Sequence, residues 1–335
     1  MKYTKQNIQK KRQILSSEKI RRNSKISLFL FKYAFIISIA LIVTGLGLGV
    51  GFVRGILKTT PQITKDSVHS KGYITTIYDN KGSTIKTLSN HDSNRIYTPL
   101  SSIPKNLQHA FIAIEDERFY KHNGIDLQGI ARAAVVGIAR GGNFTEGAST
   151  LTQQLIKNNV FPNFTKEKTF YDKFQRKIQE QYLALQIEKK MDKSEIIESY
   201  LNTINLGQNC LGVQAASQRY FGKDVSDLTL SECAVIAGIT QSPSTYDPIT
   251  HPDNNKVRRN KVLKNMLEQD YISQKQYDEA LADDVYARIQ TTNTASQADN
   301  TYSYFVDALA QQVIQDLKDQ LGYTDTQAYN AVYSG

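Results

Sequence analysis

Three carboxylates in succession, Glu115-Asp116-Glu117, follow the continuous apolar run Ala110-Phe111-Ile112-Ala113-Ile114. The run reads as a buried helix. Its C-terminal end suits negative charge poorly, because the helix macrodipole is negative there. Mutual repulsion and partial burial are expected to raise the pKa of one carboxyl, as a general acid or base requires. The alternative is a solvated helix end with Arg118 and Lys121 as ion-pair partners. A second segment, Glu146-Gly147-Ala148-Ser149-Thr150-Leu151-Thr152-Gln153-Gln154, continues to Lys157. Ser149 or Thr150 can cap the following helix, with Gln153 one turn in and Lys157 four residues after it on the same face. Hydroxyls, amides and a cation at a helix start suit an anion such as pyrophosphate, although an ordinary capped amphipathic helix has the same pattern. In the third segment, Arg176-Lys177-Ile178-Gln179-Glu180, the Arg176/Glu180 spacing alone signifies only a surface pair of ~0.2–0.5 kcal/mol.

The combination is more specific. Glu115-Asp116-x-x-Phe119-x-x-His122-x-Gly124 precedes Gly147-x-Ser149-Thr150-x-Thr152-Gln153-Gln154 and then Arg176-Lys177-x-x-Glu180. Tyr200-Leu201-Asn202, Gly212-x-x-x-Ala215-Ala216-x-x-x-Tyr220-Phe221-Gly222-Lys223 and a stretch from Leu228 through Pro243 complete the series. Over about residues 105–250 this order resembles the five motifs of the peptidoglycan glycosyltransferases of family 51, the transglycosylase part of class A penicillin-binding proteins.

The resemblance implies a mainly α, lysozyme-like glycosyltransferase domain with a small membrane-proximal jaw lobe. It implies polymerisation of lipid II by inverting transfer, forming β-1,4 bonds and releasing undecaprenyl pyrophosphate. Matched by motif, Glu115 corresponds to the general base and Glu180 to the glutamate that assists the leaving pyrophosphate, directly or through a divalent cation (Mg or Mn). Asp116 is expected to tune Glu115. Phe119, His122, Ser149, Thr150, Gln153, Gln154, Lys157, Arg176 and Lys177 are carried over as substrate-binding positions. Two departures stand out: Leu206-Gly207-Gln208-Asn209-Cys210-Leu211-Gly212 lacks the usual aromatic and second glycine, and residues 158–175 form a longer segment than expected. That segment carries Phe161, Phe164, Phe170, Tyr171 and Phe174 among Lys166, Lys168 and Lys173, which suits a lipid–water interface. Packing on the main lobe is its competing role. The Ser-x-x-Lys, Ser-x-Asn and Lys-Thr/Ser-Gly set of a transpeptidase is absent, but the run to Gly335 resembles the approach to such a domain. A peptidoglycan hydrolase and a non-catalytic scaffold are the rival readings; two glutamates together with a pyrophosphate-suited segment argue against both.

The elements that must position these residues follow from composition and pattern. The 335-residue chain has net charge +9, with ten Lys/Arg and one Glu in residues 1–32, so the remainder is balanced. Nucleic-acid binding is therefore not expected. Tyr33–Val53 is uncharged for 21 residues, and at 1.5 Å per residue it spans ~31 Å, the thickness of a bilayer core. A cleavable signal would have a shorter apolar run and a small-x-small site, so a retained anchor is expected. The basic tail places the N-terminus in the cytoplasm and the catalytic part outside the bacterial cell membrane. The expected organisation is a basic tail (1–32), an anchor (33–53), a β-containing linker (54–100) with a hairpin around Asp79–Gly82, a glycosyltransferase domain (101–250) and a helical extension (251–335). Residues 290–301 read as a polar linker. Cys210 and Cys233 sit in apolar surroundings as buried thiols or one bridge, and no His/Cys spacing suggests a zinc site. Partners expected are lipid II, the growing glycan strand, the bilayer and other wall-synthesis and division proteins.

Overall fold

The uncharged stretch lies inside one long helix, α2 (Glu18–Lys58), preceded by α1 (Lys5–Ser16). The computed structural model describes residues 5–16, 18–68, 75–88, 95–142, 147–161, 164, 167–289 and 304–333. Ser27–Lys58 is long and apolar enough to cross a membrane by length and composition. The chain divides into two compact units, residues 1–60 and 61–335.

In the second unit, β1 (Thr75–Tyr78) and β2 (Thr84–Leu88) pair antiparallel. The Asp79 carboxylate closes their turn by accepting from the backbone N–H groups of Lys81 at 2.8 Å and Ser83 at 2.7 Å, the local bonding that makes Asp a turn residue. Leu88 and Ile77 of this hairpin pack with Val306, Ala310 and Val332. Those three come from α12 (Tyr304–Leu321) and α13 (Asp325–Tyr333), so residues far apart in sequence share a small satellite core. The expected polar linker at 290–301 lies outside the described residues.

The main core is helical. It is built from α3 (Lys105–Glu115), α4 (Leu127–Ala139), α5 (Leu151–Val160), α6 (Phe170–Ile187), α7 (Lys193–Leu201), α8 (Val213–Phe221), α9 (Leu230–Gly238), α10 (Pro252–Glu268) and α11 (Gln274–Ala282). Helix α9 is apolar and Ser231–Gly238 are all buried, as befits a helix surrounded by others. Helix α3 lies against α9 and α10 and buries Leu107, Phe111 and Ile112 completely; each such side chain contributes ~1.5–3 kcal/mol. Helix starts are fixed by side chains. Thr150, Thr169, Asp192, Thr229 and Ser273 each accept from the N–H three residues on, a cap worth ~1 kcal/mol. Arg259, buried in α10, donates to the carbonyls of Ala280 and Leu281 and so closes the end of α11.

The two thiols are buried and unbridged. Burial pushes the Cys210 thiol up to about 12 and Cys233 higher still, so neither is a nucleophile at neutral pH.

Candidate active site

The three successive carboxylates border one cleft but bond to different partners. Helix α3 ends at Glu115, and Asn265 of α10 and Gln269, the residue after α10, each donate at 3.0 Å to the carbonyl of Ala113 near that end. The Glu115 side chain turns into an open cleft. Gln154 Nε2 donates to Oε2 at 2.8 Å and the Thr240 hydroxyl to Oε1 at 2.6 Å, with Arg258 Nη2 3.5 Å from Oε1. Asp116 points elsewhere: it accepts from His122 Nε2 at 2.9 Å and from the backbone N–H of Leu151, at the start of α5, at 2.9 Å. The Gly124 N–H donates to His122 Nδ1 at 3.2 Å, so Nε2 carries the proton that Asp116 receives. Glu117 pairs with Arg118 and, at 3.0 Å, with Arg132 of α4. Mutual repulsion among the three is thereby replaced by a separate partner for each. Asp116 reaches Glu115's surroundings by tying the end of α3 to the helix that carries Gln154.

Thr150, not Ser149, caps α5. Its hydroxyl also donates to the Gly124 carbonyl at 2.8 Å. Gly124 has φ +89°, and a Cβ there would stand 2.7 Å from the carbonyl oxygen of Ala184, so glycine is required twice over. Helix α5 presents Gln154 to Glu115 and, one turn on, Lys157. Burial lowers the Lys157 pKa, and the charges of both Glu180 and Glu115 act to restore it. This ammonium therefore lies in the field of both glutamates.

Glu180 of α6 is 1% exposed. Arg176 bonds one of its oxygens and Lys177 Nζ the other at 3.1 Å. Lys177 Nζ also donates to Ser149 Oγ at 2.8 Å and Gln153 Oε1 at 3.3 Å. Burial opposes the Arg176 charge, but its bonds to Glu167 and Glu180 prevail and raise its pKa. Gln153 is fully buried, and its Nε2 has no hydrogen-bond partner among the described residues. A buried amide donor beside the Lys177 ammonium suits an anion. Both Glu180 oxygens are bonded by side-chain cations, and among the described residues no group of three metal-ligating side chains exists.

Of the expected site residues, Glu115, Asp116, Ser149, Gln154 and Lys157 line the cleft, whereas Phe119, His122, Thr150, Gln153, Arg176, Lys177 and Glu180 do not. Phe119 is buried under the Lys193 ammonium, 4.4 Å from its ring, and His122 serves Asp116. Both lie in the turns that follow the Glu115 end of α3. The cleft itself measures about 520 Å³, and Glu115, Ser149, Gln154 and Lys157 line one side. Its other lining includes Thr240, Gln241, Arg258 and Lys261, from the end of α9 and from α10. Sequence reading missed these four. Thr240 and Gln241 lie inside the Leu228–Pro243 stretch that carried the resemblance, whereas the signal for Arg258 and Lys261 was only that they follow an apolar helix packed on α3.

The aromatic segment divides. Phe161 packs against the main core, and the Phe164 ring receives Lys157 Nζ at 5.0 Å and the Arg176 guanidinium at 5.8 Å. Phe170, Tyr171 and Phe174, at the start of α6, are 83%, 52% and 42% exposed. Residues 162, 163, 165 and 166, like Glu146, lie outside the described residues. Helix α4 adds an apolar exposure that the sequence reading overlooked, with Leu127, Val135 and Ile138 at 73%, 67% and 72%.

Residues 81–267 match the family model described as Transglycosylase. The chain belongs to the transglycosylase family. This transglycosylase is 38% identical over 336 residues to penicillin-binding protein 1A of Clostridium botulinum (strain Hall), covering 97% of this chain and 38% of that protein. With penicillin-binding protein 1A of Clostridium perfringens (strain 13) it shares 36% identity over 323 residues, 94% of this chain and 46% of the relative. It thus spans less than half the length of these curated relatives. A crystal structure of penicillin-binding protein 1A from Haemophilus influenzae aligns with 79% of this chain and 26% of its own, at 25% identity and a TM-score of 0.37. That likeness is too loose to carry an argument.

Proposed function

We propose that this transglycosylase polymerises lipid II into glycan strands at the membrane, with Glu115 as general base. The observation that carries the reading is a carboxylate at the wall of an open cleft, held by Gln154 and Thr240 with a shared lysine field between it and Glu180. In the reaction the acceptor's sugar hydroxyl gives its proton to Glu115 while its oxygen attacks the anomeric carbon. The pyrophosphate departs with the bonding pair from the opposite face, which inverts the centre. In this reading Lys157, Arg176 and Lys177 offset the charge gathering on the leaving group, and the Gln153 amide supplies a further donor. Glu180 holds Arg176 and Lys177 in place. The N-terminal helix keeps the domain at the lipid surface, with the basic tail on the cytoplasmic side.

The test is incubation of the detergent-solubilised chain with labelled lipid II. Long glycan is expected. Shortening of added polymer would point to a hydrolase, and no reaction to a scaffold. Glu115→Gln, which keeps shape and loses the base, should reduce the rate ~10²–10⁴-fold. Polymerisation by that variant at the wild-type rate would remove Glu115 from the role.

A further inference from the structure

Thr240 is placed to do more than bind. Its hydroxyl oxygen lies 2.6 Å from Glu115 Oε1 and 3.0 Å from the carbonyl oxygen of Ala237. A hydroxyl carries one proton, so it serves one of these acceptors at a time. Ala237 is the penultimate residue of α9, and its carbonyl is among the last four, which have no intrahelical donor. Turning the C–O bond moves the proton between the two without shifting a heavy atom. The opposite oxygen of Glu115 has no such freedom: Gln154 Nε2 donates to it, and the buried Tyr200 hydroxyl fixes that amide by donating to its oxygen at 3.2 Å.

We infer that Thr240 is a positioning residue whose hydroxyl follows the protonation of Glu115, donating to the carboxylate while it is ionised and to the Ala237 carbonyl once it is neutral. The inference rests on Glu115 being the base. During transfer the acceptor O–H bond breaks, its proton passes to Glu115, and the negative charge leaves with the pyrophosphate. Oε1 then becomes a weaker acceptor than an amide carbonyl, and the hydroxyl changes partner. In both states the hydroxyl proton has an acceptor in reach, so the carboxylate stays aimed before and after the proton arrives. Because a bond to a charged acceptor is about twice as strong as a neutral one, Thr240 favours the ionised base.

Other groups face Glu115 as well. Arg258 and Lys261 come from α10 and Lys157 from α5. Tyr200 approaches from α7, and burial first, then the charges of Glu115 and Asp116, hold its pKa well above the ordinary value. Asp116 with its partner His122, and Glu117 with Arg132, complete the surroundings. His122 is the one imidazole among them, and changing Thr240 leaves its bonds to Asp116 and Gly124 intact.

The experiment compares the full chain with Thr240→Val, which keeps the shape, and Thr240→Ser, which keeps the hydroxyl. Initial lipid II polymerisation rates are measured from pH 5 to 9. The valine variant should shift the acidic limb upward by about one pH unit, and the serine variant should return it to the wild-type position. In parallel, the chain labelled with ¹³C at glutamate carboxyls is titrated by NMR, the Glu115 signal being assigned by its loss in Glu115→Gln. Its midpoint should rise by the same amount in Thr240→Val and not in Thr240→Ser. An unmoved midpoint in the valine variant overturns the inference, whatever the enzyme does with lipid II. If Glu115→Gln polymerises normally while the midpoint moves as expected, the base assignment fails and the hydroxyl's coupling to the carboxylate survives. Should the valine variant fail to fold, Thr240→Ala gives the same two readings.

Discussion

Replacing Asp116 by asparagine separates a clasp from a substrate contact. Asp116 is 5% exposed, and its carboxylate accepts from His122 Nε2 and from the Leu151 N–H. Both donors are fixed. Leu151 is the first residue of α5, and its N–H has no carbonyl within its own helix to receive it. His122 cannot reverse its tautomer without abandoning the Gly124 N–H, which already occupies Nδ1. Asparagine would satisfy one donor with its carbonyl oxygen and turn its own NH₂ toward the other. The loss is one bond to a charged acceptor, worth ~1.5–3 kcal/mol, with the cost of an opposed buried donor added, so about 2–4 kcal/mol in all. For a domain of this size that lowers the melting temperature by on the order of 5–10 °C.

The chain contains no tryptophan, so unfolding is followed by far-UV circular dichroism in detergent, alongside lipid II turnover. Asp116→Asn should melt early and lose activity because α5 no longer presents Gln154 and Lys157 in register. Asp116→Ala, which removes the acceptor without adding a donor, should destabilise by a similar amount. Wild-type melting by both variants together with abolished turnover would refute the clasp and place Asp116 on the substrate.

Other outcomes follow from the same geometry. Gly124→Ala forces a Cβ to 2.7 Å from the Ala184 carbonyl oxygen at φ +89°, so it should destabilise by more than ~2 kcal/mol in a denaturation series. Lys157→Met should melt no lower than wild type, because burial depresses the lysine's pKa, while polymerisation falls at least ~10-fold. Since the folded lysine binds fewer protons than the unfolded one, wild-type stability should rise with pH between the depressed pKa and the ordinary lysine value, and this rise should flatten in Lys157→Met. With residues 1–58 removed, the remaining chain should still sediment with liposomes, and Phe170→Ser, Tyr171→Ser and Phe174→Ser together should weaken it; Phe161→Ser, which opens the core instead, should lower stability.

What the sequence could and could not reveal follows from the range of each interaction. The hairpin at Asp79–Gly82 and the long apolar helix were legible because turn bonding and apolar length are local properties. Local patterning also set Gln153, Gln154 and Lys157 on one helix. It could not say that Lys177 would reach back to Ser149, 28 residues earlier, because that bond depends on how α5 and α6 pack. The same limit explains the adjacent carboxylates: three consecutive side chains leave a helix end in different directions, so adjacency in sequence could not say that each would take a different partner. Phe164 is the sharpest case. An aromatic among lysines reads as a membrane contact when only composition is known, yet Lys157 and Arg176 both face its ring. A ring that draws cations by its quadrupole has that face committed to protein, so the same composition serves the cationic cluster at Phe164 and leaves only Phe170, Tyr171 and Phe174 available to lipid.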